Sequence, residues 1–117
     1  MTQPMPADEA NVDVLAIVDE AHLASFTDGD KALEDELADL FVNTARSYLK
    51  RMREALKEER SWSAEAHALK GASANLGANR MAALARQAEF MPPSGDQIAA
   101  IERALGDIQT FFADRTS

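Results

Sequence analysis

The sequence predicts an all-α protein, an up-down antiparallel four-helix bundle with an additional N-terminal helix. Three observations carry this. Apolar residues recur at steps of three and four over long stretches, the period of a helix that buries one face. No stretch alternates apolar and polar residues as a half-buried strand does. Short clusters of Gly, Pro, Asp and Ser separate the periodic stretches, and short connections between long amphipathic helices favour antiparallel neighbours.

The elements follow in order. Residues 1–11 read as a flexible N-terminus, because MTQPMPADEA holds two prolines and no apolar period. From Val12 the pattern turns helical, with Val14, Leu15, Val18 and Leu23 at helix-like spacing. The stretch TDGD, Thr27 to Asp30, breaks the chain, and Asp30 is placed to cap the next helix. That helix is the longest, with an inner face of Leu33, Leu37, Leu40, Phe41, Thr44, Tyr48, Leu49, Met52 and Leu56, and Lys57 to Ser61 closes it. A third helix runs from about Trp62 to Leu76, ended by Gly77 in the left-handed position that often follows a helix. Asn79 caps a fourth, whose inner face is Met81, Leu84, Ala85, Ala88 and Met91. PPSGD stops it, since proline neither donates to the helix ladder nor fits a helix interior. A last helix carries Ile98, Ile101, Leu105, Ile108 and Phe112. The bundle domain thus spans 12–113, with 114–117 as a C-terminal tail.

Composition narrows the function. The 117 residues make one domain, 46% hydrophobic and 27% charged, which is globular rather than disordered. The formal net charge of −8 argues against a phosphate backbone or an anionic membrane as partner. There is no cysteine, so disulfides and thiolate metal sites are excluded and a reducing compartment fits. No apolar run approaches the roughly 20 residues of a membrane span, and the N-terminus lacks the pattern of a secretory signal. A cytoplasmic protein is expected. One intramolecular core uses the apolar residues, and no second apolar stripe shows on the helical wheels, so a monomer is expected.

The stretch HALKGASANLGA, His67 to Ala78, carries the chemistry. A helix advances about 100° per residue. With Trp62 at zero, Ala66, Leu69, Ser73 and Leu76 fall within roughly 40°, which is the core stripe. His67 falls at about 140° and Gly71 at about 180°, so both face outward. The helix neighbours of His67 on that face are Ser63, Ala64, Gly71 and Ala74, all small. Lys70 lies within reach at i+3. A mid-helix glycine costs roughly 1 kcal/mol relative to alanine. Since Gly71 does not face the core, access to His67 by another protein's surface is what it offers in return. Ser73, on the core side, is placed to bond a backbone carbonyl within its helix.

The string resembles the signature of histidine-containing phosphotransfer (HPt) domains, roughly H-x-L-K-G-x-S-x-x-x-G-A on the second helix of a four-helix bundle. His67, Leu69, Lys70, Gly71, Ser73, Gly77 and Ala78 fill the pattern, and the flanking helices extend the likeness over roughly residues 12–113. The resemblance implies that His67 accepts a phosphoryl group from a receiver-domain aspartate through Nε2 and passes it on, reversibly. Free imidazole, with a pKa of about 6.5, is a nucleophile near neutral pH. By the same resemblance Lys70 offsets charge on the arriving phosphoryl group and Gly71 leaves room beside the ring. The partners implied are response-regulator receiver domains and hybrid histidine kinases. The receiver supplies Mg²⁺ as well as the aspartate, so no metal or cofactor site is expected on this chain. In related domains a Glu or Gln of the next helix bonds the histidine ring and holds its tautomer. Glu89 stands at the matching distance; the alternative is a solvated surface glutamate.

Other readings fit less well. A sensor-kinase dimerisation domain usually has an acidic residue after its histidine and a proline soon after, whereas Ala68 and Gly71 stand here. An added ATP-binding domain has no room and no phosphate-cradling glycine loop, so a phosphocarrier rather than a kinase is expected. A helical adaptor that binds receivers or another protein without phosphoryl chemistry could dispense with His67. A metal-binding bundle needs Glu and His ligands facing inward, and the core stripes are apolar. His22 has no motif around it and reads as surface or packing.

Overall fold

A computed structural model describes residues 12–116. Among them there are helices and connections and no strand. Five α-helices follow one turn of 3-10 helix at Val12–Val14: α1 Glu20–Thr27, α2 Lys31–Lys57, α3 Ser63–Leu76, α4 Asn79–Glu89 and α5 Gly95–Thr116. Helix α2 packs on α3 and α5, and α4 packs on the same two, so the four form a square with α1 laid against α2 and α3. Paired residues show the directions. Arg53 meets Glu102 and Arg115 meets Glu34, so α2 and α5 are antiparallel. Trp62 meets Ala88 across α3 and α4, on either side of the turn at Gly77.

The core is the set of inward stripes, with Leu49, Met52, Trp62, Leu69, Met81, Ile101 and Ile108 fully buried. The helix ends are set locally. Asp30 accepts a hydrogen bond from the Leu33 amide at 3.1 Å, the expected N-cap of α2. Gly77, at φ 84°, ends α3 by donating to the carbonyls of Ser73 and Ala74. A Cβ there would stand 3.0 Å from the Asp19 carbonyl oxygen and 3.3 Å from the His22 ring, so its glycine serves a close approach as well as the left-handed turn.

Several expectations are corrected. The first helix begins at Glu20, capped by Asp19, and not at Val12. The preceding residues use their carbonyls in tertiary bonds. Ala16 accepts from the Arg80 amide at 3.0 Å, and the Arg80 guanidinium donates to the carbonyls of Asp13 and Leu15. That Ala16 carbonyl satisfies a first-turn amide of α4, whose N-cap is Ala78 and not Asn79 and offers no side-chain bond. Leu33, Leu40 and Met91, placed inward by their spacing, are exposed. The stripe of α2 is wider than its neighbours cover, and Met91 lies beyond the end of α4. The last helix runs through Thr116, so residues 114–116 belong to the bundle rather than to a tail. Arg115 pairs there with Glu34, which is only 2% exposed and also accepts from the Thr27 hydroxyl at 2.6 Å. The expected flexible segment 1–11 lies outside the described residues.

Candidate functional site

Helices α3 and α4 form a hairpin about the Gly77 turn, which brings His67 opposite Glu89. The His67 side chain is 66% exposed and faces outward, as its helical phase required. Its Nδ1 lies 3.0 Å from Glu89 Oε2. Among the described residues its Nε2 has no partner. A carboxylate accepts only, so the contact selects the tautomer with hydrogen on Nδ1 and leaves the Nε2 lone pair free to attack.

The other Glu89 oxygen, Oε1, stands 3.1 Å from Lys70 Nζ. This is an ion pair without hydrogen-bond alignment, and Oε1 has no other partner. Glu89 therefore bridges His67 and Lys70, one turn apart on α3. The bridge is lopsided: the Glu89 side chain is 13% exposed, while that of Lys70 is 32% exposed on a flexible stem. Burial pushes the Glu89 carboxyl up, but the Lys70 and His67 contacts together outweigh it and hold the group below the usual carboxylate range. It is ionised near neutral pH.

Gly71 lies one turn after His67 on the same face, and a Cβ built there meets nothing within 4 Å. Among the described residues no packing contact requires a glycine there. Ser73 is fully buried and donates to the Leu69 carbonyl at 2.7 Å, a local bond with no part in the site. His22 stands apart, edge-on to Phe26 and beside the Gly77 turn. No three His, Asp or Glu side chains among the described residues converge as a metal site.

Two features were not anticipated. Where α1, α2 and α3 meet runs a shallow apolar groove of about 240 Å³ lined by Leu23, Leu37, Leu40, Phe41, Ala72 and Asn75. Leu40 is 62% exposed at its edge, and Phe26 is exposed on nearby α1. The wheel of α2 carried this signal, since its apolar arc was too broad for two neighbours. The other feature is the buried Trp62 indole, which donates to the Ala88 carbonyl at 2.8 Å, next to Glu89. Core burial of Trp62 was legible, but the target of its N–H was not.

A family model described as Hpt domain matches residues 36–111, well over half of the chain and inclusive of α3, α4 and most of α2 and α5. No curated protein and no solved structure matches the chain.

Proposed function

The chain belongs to the Hpt domain family, which serves histidine phosphotransfer in phosphorelay signalling, and we propose that His67 is its phosphoacceptor, taking the group from a receiver aspartate and returning it to another. The observation that carries this is the Nδ1 contact to Glu89, which leaves Nε2 as the nucleophile. In the step, the Nε2 lone pair forms the N–P bond while the P–O bond of the aspartyl phosphate breaks, and the carboxylate leaves with the electron pair. The ring keeps its Nδ1–H and becomes cationic, and the Glu89 carboxylate faces that charge. Lys70, held to Glu89 only by a poorly aligned ion pair, swings to the phosphoryl oxygens. Reversal uses the same groups. The receiver brings Mg²⁺ and its own acidic site, and this chain acts as carrier and not as kinase.

The receiver seats on the small-residue face of α3, where Ala64, Gly71 and Ala74 surround His67. Ala72 and Asn75 of the same helix lead from there into the apolar groove on α2, which suits an apolar helix face of the partner. A receiver rather than a second copy covers that surface, so the chain acts as a monomer, in the cytoplasm where receivers and the kinase domains that charge them work. Offering the purified protein to each phosphorylated receiver of the same cell tests the reading. A small set should pass label to it within seconds to minutes. An adaptor without phosphoryl chemistry would bind receivers and take label from none.

A further inference from the structure

The end of α4 is the weak point of the site. Glu89 is the last helical residue, and α4 has only 11 residues and no side-chain N-cap. A helix this short is marginal on its own. In a continuing helix the Ala88 carbonyl would accept from the amide four residues on. That residue is Pro92, which has no N–H, and Pro93 fails the Glu89 carbonyl in the same way. The Met91 amide reaches the Ala88 oxygen at 3.2 Å, a shared and weaker contact. The better donor is the Trp62 indole, at 2.8 Å and fully buried.

Trp62 stands at the N-cap of α3, five positions before His67, and Ala88 stands one before Glu89. One hydrogen bond therefore ties the start of the nucleophile's helix to the end of the carboxylate's helix, about one turn from where the two side chains meet. We propose that Trp62 is a positioning residue for His67. Its indole N–H replaces the amide that Pro92 lacks and fixes α4 so that Glu89 Oε2 reaches Nδ1 and holds the attacking tautomer. The phosphotransfer arm of the test rests on the function proposed above, and the tautomer arm does not.

The test uses three variants of the whole chain: Trp62→Phe, Trp62 replaced by the isosteric benzothienylalanine, which removes only the N–H, and Trp62→Phe with Pro92→Ala. The ¹⁵N shifts of the His67 ring, read at about pH 9 where free imidazole is neutral, report the tautomer. The parent should hold hydrogen on Nδ1. Both substitutions at 62 should shift the ring toward a mixture, and Pro92→Ala, by restoring an amide at 92, should return it toward the parent. Transfer from a phosphorylated receiver should fall with the tautomer, by up to about 100-fold, the order of loss when a reacting geometry is displaced by about 1 Å. Trp62→Phe should add no further loss once Glu89→Ala, which removes the acceptor at Nδ1, is present. If the folded benzothienylalanine protein keeps the parent's ring shifts and transfer rate while only its melting temperature falls, Trp62 is a packing residue and the proposal is wrong. If the parent itself takes no label, the phosphotransfer reading fails, and the ring shifts still decide the role of Trp62.

Discussion

Replacing Gly71 separates access from stability. The residue lies in the middle of α3 with a helical backbone, and a Cβ there meets nothing within 4 Å, so no packing cost opposes a larger side chain. Alanine gains up to about 1 kcal/mol of helix propensity and leucine nearly as much. For a domain of this size that raises the melting temperature by about 4 °C. Helical side chains lean toward the N-terminus, over the residue four positions earlier. For position 71 that residue is His67. Leucine would thus lie across the imidazole and hold a receiver surface off Nε2. A displacement of about 1 Å costs on the order of 100-fold where transfer needs in-line geometry. Rapid-quench transfer from a phosphorylated receiver, beside thermal melts, should show Gly71→Leu slowed by about that factor and melting no lower than the parent. Gly71→Ala should melt higher and lose much less rate. A leucine variant that melts well below the parent yet transfers normally per folded molecule would make Gly71 a packing residue. One that melts as expected and transfers normally would remove the access argument.

Other outcomes follow from the same contacts. Glu89→Ala frees the His67 ring and should slow transfer by up to about 100-fold, the order of loss for a misplaced reacting group, with little change in melting, checked by the same quench and melt pair. Arg115→Met strips the buried Glu34 carboxylate of its main cation and should cost about 3 kcal/mol in denaturant titration, although Arg115 touches nothing near His67. The Thr27 hydroxyl bond first, and then Arg115 and Lys31, outweigh burial and hold Glu34 below the ordinary 4.5. Its contribution to stability is therefore full above that pH and lost as pH falls through the lower folded value. Glu34→Gln should accordingly flatten part of the acid limb of a melting-versus-pH curve. Light scattering at micromolar concentration should give the single-chain mass of 12.7 kDa, and a salt-independent doubling would refute the monomer.

The bundle and the outward phase of His67 were legible because both depend on local periodicity. The pairing of His67 with Glu89 was nearly so. A tight turn at Gly77 folds α3 back on α4, and residues about equally far from it on either side come together. What the sequence hid was tertiary substitution for local bonds. Val14, Leu15 and Val18 keep helical spacing, but the neighbouring carbonyls cap α4 and hold Arg80, and no spacing rule reveals that. Arg115 read as tail because its partner lies 81 positions away. Trp62 and Pro92 each had a sufficient local explanation, one as core and one as helix stop. Only the fold shows one supplying the donor that the other lacks.

The proposed role of His67 as phosphoacceptor stands or falls on where the label sits. The direct measurement is to incubate the parent, His67→Gln and His22→Gln with a phosphorylated receiver and map the label by mass spectrometry with a test of acid lability. His67 is exposed and outside the core, so its variant should fold as the parent does. An acid-labile, base-stable label is expected on His67 in the parent and in His22→Gln, and none in His67→Gln. Label retained in His67→Gln, or acid-stable label on a hydroxyl, would contradict it.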